Sequence, residues 1–155
     1  MHSHPDLFAG LATSEVDRLV SLGTALTLHP GDVLFRIGDL ATHLYVVDQG
    51  LVSLTMPMQV DHHDEDVRID ECGPGHTVGW STLVPPHRFT LNATAPAPAH
   101  VLALPREALL AHFAAHPEVG YAVMRNLATV LGQRLQVFQA MWLRQMQHVV
   151  DLAHG

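Results

Sequence analysis

Apolar positions recur along this chain with two different periods, and the changes of period mark its elements. Near the start, Ser14-Glu15-Val16-Asp17 predicts a short helix capped by Ser14, with acidic residues in its first turn. Val16, Leu19 and Val20 fall on one face of it. From Thr24 onward, short apolar runs alternate with the turn signals Pro30-Gly31-Asp32, Gly38-Asp39, Gln49-Gly50 and Pro74-Gly75. The runs predict strands over 33–35, 44–47, 51–56, 67–72, 89–93 and 101–104. In the third of these, Val52, Leu54 and Met56 alternate with Ser53 and Thr55, the period of a half-buried strand. The polar stretch 61–66 predicts an exposed hairpin tip. Several short strands at this spacing point to a sandwich, barrel or roll.

After Pro105 the period becomes helical. One helix is predicted over 106–116, and a second from Pro117 to about 150. Pro117 suits a first helical turn, and Glu118 beside it favours the positive end of the helix dipole. Leu127, Leu131, Leu135, Phe138, Trp142, Met146 and Val149 then recur every three or four residues. A helix that long cannot bury its whole seam on a small roll. The seam therefore predicts a homodimer, with Leu131, Leu135, Phe138 and Trp142 at the interface. The expected fold is α+β and mainly β: a double-stranded β-roll, or jelly roll, with an N-terminal helix and a long C-terminal helix. One domain is expected over 1–155, with the roll at about 24–104 and the helices at about 106–150.

Composition narrows the function. Hydrophobic residues are 48% and charged residues 15% of the 155, a globular balance. The net charge of -7, with only 8 lysines and arginines and no basic run, disfavours a nucleic-acid partner. The single cysteine, Cys72, permits no intrachain disulfide and reads as packing rather than a nucleophile. The first residues lack the basic region and apolar run of a leader, and no apolar stretch reaches the roughly 18 residues of a membrane span. The expectation is a cytoplasmic protein with neither a nucleic-acid nor a membrane partner. Ser81 is not in a Gly-x-Ser-x-Gly context, and neither a P-loop nor a zinc motif is present, so no catalytic residue is assigned and no enzyme is expected. Thirteen histidines raise the question of a metal. His62-His63-Asp64 are adjacent in the hairpin tip, and His112 and His116 share one helical face without an evident third ligand, so no metal site is assigned.

The stretches 29–35, Gly38-Asp39, 43–50 and Gly75 through Ala95, with Gly31, Gly38, Gly50 and Gly75 at the turns, resemble the cyclic-nucleotide-binding domain of the Crp/Fnr family and of kinase regulatory subunits. The resemblance runs from about Leu7 to Leu135. It implies a phosphate-binding cassette, a short helix between two strands where backbone N–H groups and an arginine meet a phosphate. The corresponding stretch here is 75–93. Gly79 matches the family glycine, and Trp80 stands where the family has a glutamate for the ribose hydroxyl. The Gly-Trp-Ser and Pro-Pro-x-Arg form is similar to that of a divergent subgroup of small single-domain members.

The implied ligand contacts are Gly79, Trp80, Ser81, His87, Arg88, Phe89 and Thr90. Arg88 or His87, depending on register, takes the phosphate-anchor position. On this reading Arg88→Ala weakens binding far more than Arg106→Ala does. Trp80 either packs in the core or stacks on a ligand base. Arg134 lies on the long helix, which caps the base in the family, yet it reads as a solvated charge. The ligand class is a small anion, a cyclic nucleotide or another nucleotide. No helix-turn-helix follows the long helix within the 155 residues, so output is expected through dimerisation or a protein partner. The expected function is a ligand-sensing regulatory module. The alternative is a degenerate roll that binds no small molecule and serves as an accessory or assembly subunit of a larger complex.

Overall fold

A computed structural model describes residues 4–154. A 3-10 turn at Asp6–Phe8 precedes helix α1 (Thr13–Val20). Strands β1 (Thr24–Leu28), β2 (Val33–Phe35), β3 (His43–Gln49), β4 (Val52–Val60), β5 (His63–Cys72), β6 (Thr77–Val78), β7 (Asn92–Thr94) and β8 (Ala99–Pro105) follow. A second 3-10 turn, Trp80–Thr82, lies between β6 and β7. Helices α2 (Arg106–Ala115) and α3 (Pro117–His154) close the chain.

The strands form two antiparallel four-stranded sheets, ordered β1-β8-β3-β6 and β2-β7-β4-β5. The expected roll with a helix before it and a long helix after it is therefore present. Gly31, Gly38, Gly50 and Gly75 all have positive φ, the left-handed conformation that glycine adopts without a Cβ clash.

Two apolar cores sit on opposite faces of the first sheet. β3 feeds both, because successive side chains of a strand point to opposite faces. Tyr45 and Val47 face the core between the sheets, with Phe35, Val52, Leu54, Phe89 and Val101. Leu44 and Val46 face a second core, built with Leu7, Phe8, Val16 and Leu19 from the N-terminal segment and Leu109, Val119, Val123 and Leu127 from α2 and α3. Burial on both faces is why β3 reads as a continuous apolar run rather than an alternation.

Several expectations need correcting. Helix α1 starts at Thr13 with Ala12 as N-cap, so Ser14 lies inside it; Val16 and Leu19 are buried, but Val20 is exposed. The hairpin tip is narrower than 61–66. Asp61 and His62 have φ of 50° and 67°, so a two-residue turn of the kind that matches strand twist joins β4 to β5. The strand expected over 89–93 is confined to Asn92–Thr94, because 85–91 form a loop with a cis Pro85-Pro86 bond and a left-handed His87. Helix α2 ends at Ala115: His116 precedes Pro117, whose ring disfavours helical backbone there, and adopts φ −132°, ψ 76°.

At about 1.5 Å per residue, the 38 residues of α3 span about 57 Å. Its last buried side chain is Leu127, and Val130 and Leu131 pack partly against the second core. Leu135, Phe138, Trp142, Met146 and Val149 are exposed, with Phe138 at 57% and Trp142 at 61%.

Candidate functional site

The cassette stretch is set by a glycine. β6 ends at Val78, and Gly79, with φ 84° and ψ 38°, follows it as the N-cap of the 3-10 turn Trp80–Thr82. A Cβ on Gly79 would sit 3.0 Å from Phe89 Cε1 and 3.4 Å from the His43 carbonyl oxygen, so both its dihedrals and its surroundings require glycine. Thr82, fully buried, donates its hydroxyl to the His43 carbonyl at 2.7 Å and pins the turn to β3. The turn's own bonds begin with the Thr82 N–H to the Gly79 carbonyl and the Leu83 N–H to the Trp80 carbonyl. The N–H groups of Trp80 and Ser81 thus precede the turn's own ladder.

A small cavity of about 20 Å³ lies beside this turn. Gly79, Trp80, Ser81, Phe89 and Thr90 line it from the cassette, Phe35, Leu54 and Leu91 from the rest of the roll, and Arg134 from α3. About one water fits a space of this size, whereas pockets for larger organic ligands run to about 300 Å³ or more. Aromatic rings take up the volume. Phe35 and Phe89 stack with centroids 3.7 Å apart, and Tyr45 stacks on Phe35 at 5.9 Å. Burial pushes the Tyr45 hydroxyl's pKa up. Trp80 serves two sides at once, packing against the second core while lining the cavity.

His87 and Arg88 stand outside the lining. Arg88 is exposed and donates from Nη1 to the Gly38 carbonyl at 2.9 Å, bracing the turn before β3. His87 places Nδ1 3.1 Å from the Ser81 carbonyl, and its own carbonyl accepts the Ala41 N–H at 2.7 Å. Arg106 does similar work nearby, donating from Nη1 to the Ala41 carbonyl at 2.7 Å. Among the described residues that line the cavity, the one charged side chain is Arg134. Its signal in the sequence is its spacing. Arg134 lies seven residues after buried Leu127 and three after Leu131, on the face of α3 that meets the roll.

Elsewhere, Cys72 is buried in the core between the sheets. Burial first, and the Asp70 charge second, push its thiol up to about 11, so it is a neutral packing group. His112 and His116 lie with ring centroids 4.6 Å apart, and Glu15 of α1 approaches His112 at 3.7 Å. Among the described residues, no group of three or more histidine, cysteine or acidic side chains is placed to hold a metal.

A family model of the cyclic nucleotide-binding domain matches residues 25–116. The chain belongs to that family. It is 32% identical over 130 residues to the cyclic AMP receptor protein of Thermus thermophilus, a match covering 84% of this chain and 57% of the relative. It is also 30% identical over 129 residues to glutaminase 2 of Bradyrhizobium diazoefficiens, covering 83% of this chain and 19% of that enzyme. Among solved structures, the catabolite activator protein of Thermus thermophilus superposes with TM-score 0.74 at 31% identity, over 86% of this chain and 60% of that one. The N-terminal domain of a Streptomyces coelicolor transcriptional regulator gives TM-score 0.72 at 30% identity, over 86% and 91%. This cyclic nucleotide-binding domain is thus of Crp/Fnr type, and it spans about a fifth to three fifths of the curated relatives it matches. No helix of the described residues is long and apolar enough to cross a membrane.

Proposed function

We propose that this cyclic nucleotide-binding domain is a ligand-responsive regulatory module. Its input is a small anion, with nucleotides the class to test first because one relative is named a cyclic AMP receptor. The anion lies between the cassette turn, where Gly79, Trp80, Ser81, Phe89 and Thr90 contact it, and Arg134 of α3. Its output is the packing of α3, and a homodimer joined through the Leu131, Leu135, Phe138 and Trp142 seam carries it. The observation that carries this reading is the shared cavity. The cassette and the long helix face each other across it, so a ligand there touches both at once. A ligand shifts the arrangement only by its difference in affinity for the two states. Entry needs the Phe89 and Trp80 rings to turn aside, since the present volume is about 20 Å³.

A second reading has an observation of its own. The Phe35–Phe89 stack fills the place a ligand would take, which favours a roll that binds no small molecule and works through a protein partner on α3.

Thermal melts with cyclic AMP, cyclic GMP, cyclic dinucleotides, NADH, NADPH and inorganic phosphate separate the two. A ligand at about 100 times its dissociation constant adds roughly 2.7 kcal/mol, a rise of several degrees in Tm. The expected result is a rise that Arg134→Ala abolishes and Arg88→Ala only reduces. A flat response across the panel rules these ligands out and leaves the partner-binding reading.

A further inference from the structure

Arg134 stands in the wall between two cavities. On one side is the small cassette cavity. On the other is a space of about 270 Å³ bounded by β5, the N-terminal segment and α3, with Gln133 and His76 among its lining. Three carboxylates reach that second space: Asp6, Asp70 and Glu71. Two of them are engaged elsewhere. Asp6 Oδ1 accepts the Thr77 hydroxyl at 2.7 Å and the Leu7 N–H at 2.7 Å. Glu71 Oε1 accepts the Arg68 guanidinium at 2.7 Å. Asp70 Oδ1 takes the Glu71 N–H at 2.8 Å, which leaves Oδ2 facing Arg134 Nη2 at 3.9 Å.

That separation is an ion pair without a hydrogen bond. With side-chain exposures of 33% for Arg134 and 50% for Asp70, the pair is weakly held and readily exchanged. The guanidinium also has room on that side, because the larger space lies behind it.

We propose that Asp70 is the resident counter-ion of Arg134, and that a phosphate-class anion in the cassette cavity competes with it for the same guanidinium. This rests on the ligand reading above and adds how the site is regulated. With the cavity empty, Arg134 ties α3 to β5. With an anion bound, Arg134 ties α3 to the cassette instead. The exchange takes place just beyond Leu131, where α3 leaves the roll, so it changes the base of the exposed seam. A phosphoryl group suits the exchange because it offers several charge-assisted acceptors, against the single distant oxygen that Asp70 presents.

Calorimetric titration of the full chain with cyclic AMP and with inorganic phosphate, at fixed ionic strength, tests the exchange. Asp70→Asn keeps the acceptor for the Glu71 N–H and removes the competing charge. It is expected to bind the probes about two- to fivefold tighter than wild type, the size of a released surface ion pair. Glu71→Gln changes the net charge by the same amount but at a carboxylate already taken by Arg68, and is expected to leave the affinity where it was. Arg134→Gln is expected to lose binding in either background. A gain in affinity on Asp70→Asn is not something a damaged fold would produce, and a melt of each variant checks folding. Equal tightening by Asp70→Asn and Glu71→Gln, or none by Asp70→Asn while the probes still bind, overturns the exchange alone. No binding by any variant overturns the ligand reading and the exchange with it.

Discussion

Gly79 concentrates the constraints on the cassette in one residue. Its φ of 84° is unfavourable for any residue with a Cβ, and Phe89 and the His43 carbonyl already occupy the space a Cβ would need. Gly79→Ala is expected to cost about 1–3 kcal/mol, by strain and by pushing Phe89 off Phe35; urea unfolding measures it, and a midpoint equal to wild type would show that the turn relaxes freely. Cys72 makes a prediction in pH. Its thiol is held up at about 11 against an ordinary 9.0, so the folded chain keeps a proton that the unfolded chain has released. Stability from this residue is therefore complete below about pH 8.5 and is lost as pH rises toward 11, by up to roughly 3 kcal/mol. Wild type and Cys72→Ala, compared in urea at pH 7.5 and pH 10, are expected to converge at the higher pH. Arg88 and Arg134 show what one dimension conceals at this scale. Arg88 lies within the cassette stretch yet is spent on the Gly38 carbonyl, while Arg134 reaches the cavity from more than forty residues away. Proximity along the chain favoured the first, and helical phase from Leu127 would have favoured the second.

Most of the elements were legible because their signals are local. The turn glycines, the buried Val52 and Leu54 of β4, Pro117 in a first helical turn and the helical seam each depend on a few neighbours in sequence, although Ser53 is buried and Met56 exposed against the expected alternation. β7 was overextended because Phe89 looks like a strand residue, and it is buried instead by stacking on Phe35, a long-range contact. Helix α3 carries the prediction at this scale. Beyond Leu135 the helix meets no apolar surface among the described residues, and an isolated segment of about twenty residues is marginally helical in water. A second copy would bury the Leu135, Phe138 and Trp142 side chains, in the manner of a two-stranded coil. Phe138→Asp with Trp142→Arg is expected to convert a dimer to a monomer in sedimentation velocity. It should also lower the helical circular dichroism signal without shifting the melt of the roll, since neither side chain touches it. A wild-type chain that sediments as a monomer across the micromolar range would assign the seam to another occupant.

At the scale of the whole molecule, the two cores share the cassette. The core between the sheets holds its Val78, Phe89 and Ala93, while the second core takes Trp80 and Leu83 and ties α1, α2 and α3 from Pro117 to Leu127 to the outer face of the first sheet. That second core was not legible in the sequence, because it joins Leu7 and Phe8 to Val119 and Val123, more than a hundred residues apart. Its polar tie is Asn126, whose amide nitrogen donates to the carbonyls of both Leu7 and Ala9 at 2.9 Å. The N-terminal segment is thus tied to α3 through Asn126 and to the start of β6 through Asp6, which accepts the Thr77 hydroxyl. Asn126→Ala removes one bond to the carbonyl of buried Leu7 and one to that of exposed Ala9, at a cost of about 1–2 kcal/mol. Hydrogen exchange is expected to speed up over residues 6–20 and along the first turns of α3, with β3, β4 and β8 as protected as before. Uniform loss of protection through both sheets would mean that the helical layer and the roll open as one unit. In that case α3 could not be repositioned without unfolding the cassette, and a ligand would have no separate arrangement to select.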